Sequence, residues 1–124
     1  MPMIAWLMLV AGILPLLGAV TAKIGGKQFD NNAPREWLDR QEGWRARANA
    51  AQVNLFEGLP LFYAAVLFAL YAQVETGWLA TLMVAWLVAR VLYLGAYIAN
   101  VGTLRSVVWG IALVINIVIL FAAV

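Results

Sequence analysis

Four apolar runs, each close to the length that crosses a lipid bilayer, constrain this chain more than any other feature. An α-helix rises about 1.5 Å per residue, and the hydrocarbon core is about 30 Å thick, so a span takes about 20 apolar residues. The first run covers about residues 3–22, carries no charge and closes at Lys23-Ile24-Gly25-Gly26. The second covers about 47–73 and ends in the turn Gln73-Val74-Glu75-Thr76-Gly77. The third covers about 78–99 and is followed by Asn100-Val101-Gly102-Thr103; the fourth covers about 104–123. These runs predict an all-α integral membrane protein, a four-helix transmembrane bundle that makes residues 1–124 one four-span membrane domain. An alternative for the first run is a secretory signal with Val20-Thr21-Ala22 as its cleavage site. No basic segment precedes the run, and it is long for a signal, so an uncleaved span is expected.

Composition narrows the chemistry. Of the 124 residues 65% are hydrophobic and 11% charged, against about a quarter charged in soluble domains. Mean hydropathy is +0.90. A soluble domain of this size could not cover so much apolar side chain, and a disordered chain would not carry it. Eight Lys and Arg against six Asp and Glu make no basic stripe, so no nucleic-acid partner is expected. The chain has no Cys and no His. That excludes disulfides, cysteine nucleophiles, thiolate or imidazole metal sites and histidine acid–base catalysis; no metal is expected.

Charge also orients the spans. Lys23, Lys27, Arg35, Arg40, Arg45 and Arg47 lie in or beside the first loop, and Arg105 borders the third. The positive-inside rule places these two loops in the cytoplasm and both termini on the opposite side. Trp44 and Trp78, at span ends, suit the interface. Within the first loop, Asn31-Asn32-Ala33-Pro34-Arg35-Glu36 reads as a turn with proline opening a short helix. Trp37, Leu38 and Trp44 are expected on the membrane surface, or else in a solvated connector.

The informative residues are polar groups inside apolar spans, where each charge at mid-bilayer costs about 2.5–3.5 kcal/mol on insertion scales. On the second span Arg47, Asn54 and Glu57 share a face, and Pro60 frees the carbonyl of Phe56, which favours a kink there. On the third, Arg90, Tyr93 and Tyr97 share a face that Trp86 continues. On the fourth, Arg105 and Trp109 share a face, with Ser106 beside it and Asn116 deeper. Glu57 is the one acid within a span, set against Arg47, Arg90 and Arg105. Two readings follow. One is a structural ion pair of Glu57 with Arg90 or Arg47, with arginines snorkelling from helix ends. The other is a cytoplasm-facing pocket for an anion, walled by Tyr93, Tyr97 and Trp109; a lipid-headgroup site and a proton-coupled pore are variants.

Two blocks resemble a known family. Arg47-Ala48-Asn49-Ala50-Ala51-Gln52-Val53-Asn54-Leu55-Phe56-Glu57-Gly58-Leu59-Pro60-Leu61-Phe62 is similar to the signature of the MAPEG family, the membrane-associated proteins in eicosanoid and glutathione metabolism. Arg90-Val91-Leu92-Tyr93-Leu94-Gly95-Ala96-Tyr97, continued by Leu104-Arg105-Ser106, resembles its second signature. The resemblance covers essentially the whole chain and is nearest the bacterial branch. It implies a homotrimer of four-helix bundles, located in a bacterial inner membrane, that binds glutathione between subunits and acts on a lipophilic small-molecule substrate arriving among membrane lipids. Carried over, Arg105 is the catalytic thiolate stabiliser and Ser106 a second donor. Arg47, Asn54, Glu57, Arg90, Tyr93 and Tyr97 are glutathione contacts. Many mammalian members have Arg where Ala50 stands here, and some have His where Tyr93 stands.

The implied function is a glutathione-dependent transferase or peroxidase. Its alternative is a non-catalytic protein binding a lipid or lipophilic anion in the same pocket. A transporter using Glu57 as coupling carboxylate is a third reading; nearby arginines would hold Glu57 ionised and argue against it.

Overall fold

The computed structural model describes residues 2–124. Six helices follow in order: α1 Pro2–Lys23, α2 Pro34–Asp39, α3 Gly43–Glu57, α4 Leu59–Tyr71, α5 Thr76–Ile98 and α6 Gly102–Leu120. Helices α1, α5, α6 and the joined α3–α4 segment, Gly43–Tyr71, are each long and apolar enough to span a membrane. The expected all-α membrane bundle is therefore observed.

The second span departs from expectation at its start, and its middle carries the break expected near Pro60. It begins at Gly43, whose φ of +64° suits a residue without a Cβ. Its 29 residues extend about 43 Å at ~1.5 Å each. The first turns, with Trp44, Arg45 and Arg47, therefore project beyond the hydrocarbon. At Gly58 the helix is interrupted: Gly58 N–H still donates to Asn54 O at 3.0 Å, but Phe62 N–H reaches Gly58 O only at 3.5 Å. Pro60 supplies no N–H for Phe56 O, so the break falls beside the polar face, as the proline implies.

Helix α5 is the centre of the bundle and packs against α1, α3, α4 and α6. Half of its spanning window is buried, against 22–33% for the other three. Arg90 and Tyr93, polar side chains on its inner face, are consequently buried. The larger core joins Ile4, Leu7, Phe62, Val66, Met83 and Trp86 across α1, α4 and α5. A second cluster, including Leu14, Leu55, Tyr93 and Val108, lies toward the loop end of the spans.

Small residues let α1 approach its neighbours. A Cβ on Gly18 would stand 3.3 Å from Gln52 Cβ on α3, and one on Gly12 would stand 2.8 Å from Tyr63 Oη on α4. That hydroxyl donates to Met8 O at 2.7 Å. Proline opens α2, as expected, but the loop tryptophan faces the protein. Trp37 and Leu38 are buried with Ala22 and Ala48, and Trp37 Nε1 donates to Lys27 O at 3.1 Å. The loop folds over the end of α1 and α3 and withdraws both side chains from the membrane surface. Trp44 remains exposed, with the Arg45 guanidinium 4.3 Å from its ring centroid.

Candidate functional site

Arg90, on α5, is 3% exposed. Its Nη2 donates to the backbone oxygen and to Oδ1 of Asn54, each at 3.0 Å. The guanidinium carbon stands 4.8 Å from the Tyr93 ring centroid and 5.8 Å from that of Trp86. Trp86 in turn stacks on Phe62 at 3.8 Å. A buried cation is thus held by neutral oxygens and aromatic faces. The α3–α4 break permits this approach, because a Cβ on Gly58 would stand 3.1 Å from Arg90 Nη2.

Asn54, Glu57, Trp86, Arg90, Trp109 and Asn116 are among the residues lining a cavity of about 220 Å³ between α3–α4, α5 and α6. Glu57 stands at its outer edge and is exposed on the single chain. A second, open cleft of about 580 Å³ is lined by Tyr93, Tyr97, Arg105, Ser106, Trp109 and Gly110. The Arg105 guanidinium carbon lies 4.6 Å from the Tyr97 ring centroid, and Tyr97 meets Tyr93 edge-on at 5.7 Å. The four-residue step on α5 stacks these two rings on one face. Trp109 borders both spaces.

The fold therefore gathers seven of the expected residues into two adjoining spaces: Asn54, Glu57 and Arg90 in one, Tyr93, Tyr97, Arg105 and Ser106 in the other. Arg47 lies apart from both. Its Nε donates to Ile98 O at 3.0 Å, and Arg45 Nη1 donates likewise to Ala22 O at 3.0 Å. Each guanidinium thus satisfies a carbonyl at the end of a helix, where a positive charge is favoured. The hydrogen bonds of Arg90 and Arg47 run to neutral oxygens and not to Glu57.

Asn116 stands outside the expected site residues. It is 5% exposed on α6, and its Oδ1 has no hydrogen-bond partner; nor does Nε of Arg90. Its sequence signal is a lone amide in an apolar helix, which marks an inward face without saying what meets it. Among the described residues no group of three or more His, Cys, Asp or Glu side chains could hold a metal ion.

Fold and site define a class: a small all-α membrane protein with arginines and aromatic rings enclosing polar spaces between its spans. The chain matches the family model of the MAPEG family over residues 3–124 and belongs to that family. It matches no curated protein and no solved structure.

Proposed function

We propose that this chain is a membrane-bound glutathione-dependent transferase or peroxidase acting on lipophilic electrophiles. One observation carries the reading: Arg105, positioned over Tyr97, lines an open cleft beside Ser106 and is one tryptophan away from the cavity of Arg90, Asn54 and Glu57. Glutathione has two carboxylates, one ammonium and one thiol. Arg90 and Arg105 complement the negative groups and Glu57 the ammonium, while Asn54 holds Arg90 in place. Tyr93 and Tyr97 supply the wall. Arg47 enters only through the guanidinium nitrogens left free by Ile98.

A free thiol ionises near pH 8.5, and an adjacent guanidinium lowers that value. Arginine remains charged and cannot serve as the base. Arg105 therefore stabilises the thiolate while its proton leaves to water, and the Ser106 hydroxyl is a second donor. The thiolate attacks an electrophile held in line with it, so the protein contributes positioning and electrostatics. The exposure of Glu57 and Trp109 on the single chain supports a homotrimer whose neighbouring subunit closes the site from outside. The charge distribution supports first and third loops in the cytoplasm, and the resemblance to bacterial members supports an inner-membrane location.

The test is an ultraviolet difference titration of the detergent-solubilised protein with glutathione, beside Arg105→Ala. The expected result is a saturable thiolate absorbance that the variant lacks. No binding up to millimolar glutathione overturns the reading. A second reading, a non-catalytic site for a lipid or lipophilic anion, draws on Ala50, which removes a cation that resembling mammalian proteins place there. It predicts a lipid that co-purifies with the chain and no thiolate signal.

A further inference from the structure

The end of α5 is closed by a side chain that lines neither polar space. Helix termini leave carbonyls without intrahelical donors. Here Asn100, at φ +63°, turns the chain back. The N–H groups of Ala99, Asn100 and Val101 donate to Gly95 O, Tyr97 O and Ala96 O at 2.9, 3.1 and 2.9 Å. Ile98 O receives none of these donors. Arg47 reaches it from α3, and its Nε donates at 3.0 Å across 51 residues of sequence. Ile98 stands beside Tyr97, and both pack against the cluster that includes Leu55 and Tyr93. Residues 99–101 alone separate α5 from α6. Arg105, in the first turns of α6, donates its N–H to Val101 O at 3.0 Å, and its guanidinium carbon lies 4.6 Å from the Tyr97 ring centroid. One hydrogen bond from α3 thus holds the short turn from which both walls of the Arg105 cleft start.

We propose that Arg47 is a positioning residue: through Ile98 O it fixes the end of α5, and with it the Tyr97 ring on which the Arg105 guanidinium rests. The inference rests on the reading of Arg105 as the thiolate stabiliser, and it gives Arg47 a role that needs no contact with a ligand. A cation stabilises a developing anion best when its place is fixed in advance. If the α5 end frays, Tyr97 shifts and Arg105 is free to swing toward water. A guanidinium at a helix C-terminus is also favoured by charge, but the bond itself is made by Nε. Glutamine carries a neutral N–H donor at the same place along its side chain. Lysine keeps the charge one atom further out and has a methylene where the donor stood. The two substitutions therefore separate a hydrogen-bonded latch from a charge.

The experiment places a thiol in the cleft and uses no glutathione. Ser106 lines the cleft with Arg105, and the chain has no native Cys. Ser106→Cys in the detergent-solubilised full chain therefore supplies a single reporter, whose alkylation by iodoacetamide against pH gives its ionisation midpoint. An ordinary thiol ionises near pH 8.5, and a guanidinium held beside it lowers that value. Arg105→Ala in the same background sets the full size of the effect. With Arg47→Gln the midpoint is expected to stay where native Arg47 puts it. With Arg47→Met and Arg47→Lys it is expected to rise by about half a pH unit, about threefold less thiolate at neutral pH. A midpoint that rises as much with glutamine as with methionine overturns the proposal, because Arg47 would then act by charge. Equal midpoints in all the chains overturn it too, even where the melting temperature falls, because the bond would then be structural only. Should Arg47→Met fail to fold, the comparison of glutamine with lysine decides alone. Because the reporter thiol belongs to the chain, failure here is separable from failure of glutathione binding.

Discussion

Tyr63 shows how one polar atom can be decisive within an apolar bundle. Its hydroxyl donates to Met8 O at 2.7 Å and occupies the space that the missing side chain of Gly12 leaves open. Tyr63→Phe is expected to cost ~0.6 kcal/mol, the average for a hydrogen bond between membrane helices. Gly12→Ala brings a Cβ to 2.8 Å from that hydroxyl and is expected to cost more in the native chain than in the Tyr63→Phe background. Unfolding of the two single variants and the double variant in mixed micelles reads the coupling; strict additivity would contradict the geometry. Gly58 has the same kind of role at the site. Gly58→Ala forces Arg90 Nη2 away from its 3.1 Å approach, and about tenfold weaker glutathione binding is expected, or ~1.4 kcal/mol. Unchanged affinity would detach the α3–α4 break from the site. At this scale the sequence is legible where burial is costly. Arg90 stands out because a guanidinium inside an apolar run needs company. Its partner does not: charge points to an ion pair with Glu57, the one acid on the polar face of the second span. The structure gives Asn54 to Arg90 and sends Arg47 to Ile98.

The ends of elements are fixed by groups that hydropathy does not register. Glu75 is the N-cap of α5, accepting from Gly77 N and Trp78 N at 2.7 Å each. These two backbone donors hold its carboxyl below the ordinary carboxylate value. A carboxylate whose value is lowered on folding stabilises the fold while it is ionised. That contribution is complete above the unfolded value and is lost as pH falls through the lower folded one. Acidification through the carboxylate range is therefore expected to lower the melting temperature of the native chain more than that of Glu75→Gln, with the gap between them closing at the acid end. Melting curves of both proteins in detergent across that range check it; parallel pH profiles would show the cap to be inert. The spans themselves are legible because length and apolarity are the same physical requirement read twice. Their limits are not, since Gly43 starts the second span in the headgroup zone, where hydropathy is already low. The burial of Trp37 and Leu38 is illegible for another reason. A six-residue helix has too little periodicity to say which face is covered, and only the ends of α1 and α3 supply the cover.

At the scale of the whole molecule, the fold follows from four apolar runs, but which helix lies at the centre does not. Helix α5 takes that place because it packs against every other span. This brings Trp86, Arg90, Tyr93 and Tyr97 between neighbours and makes the polar face of one helix the common wall of the two polar spaces. The sidedness of the assembly rests on charge alone. Lys23, Lys27, Arg35, Arg40, Arg45 and Arg47 cluster at one end of the bundle with Arg105, while the opposite connector holds only Glu75. The rule that Lys and Arg remain in the cytoplasm predicts that the Arg105 cleft opens there, within reach of a soluble thiol, and that the turn at Gln73 faces outward. The absence of native cysteine makes the test clean. In vesicles with the outer face exposed, Gln73→Cys is expected to react with an impermeant maleimide, and Gln28→Cys only after the vesicles are opened. The reverse pattern would place the cleft outside the cell and separate it from the cytosolic pool of thiols. Catalysis on cytosolic glutathione would then be excluded by topology, whatever the chemistry of Arg105.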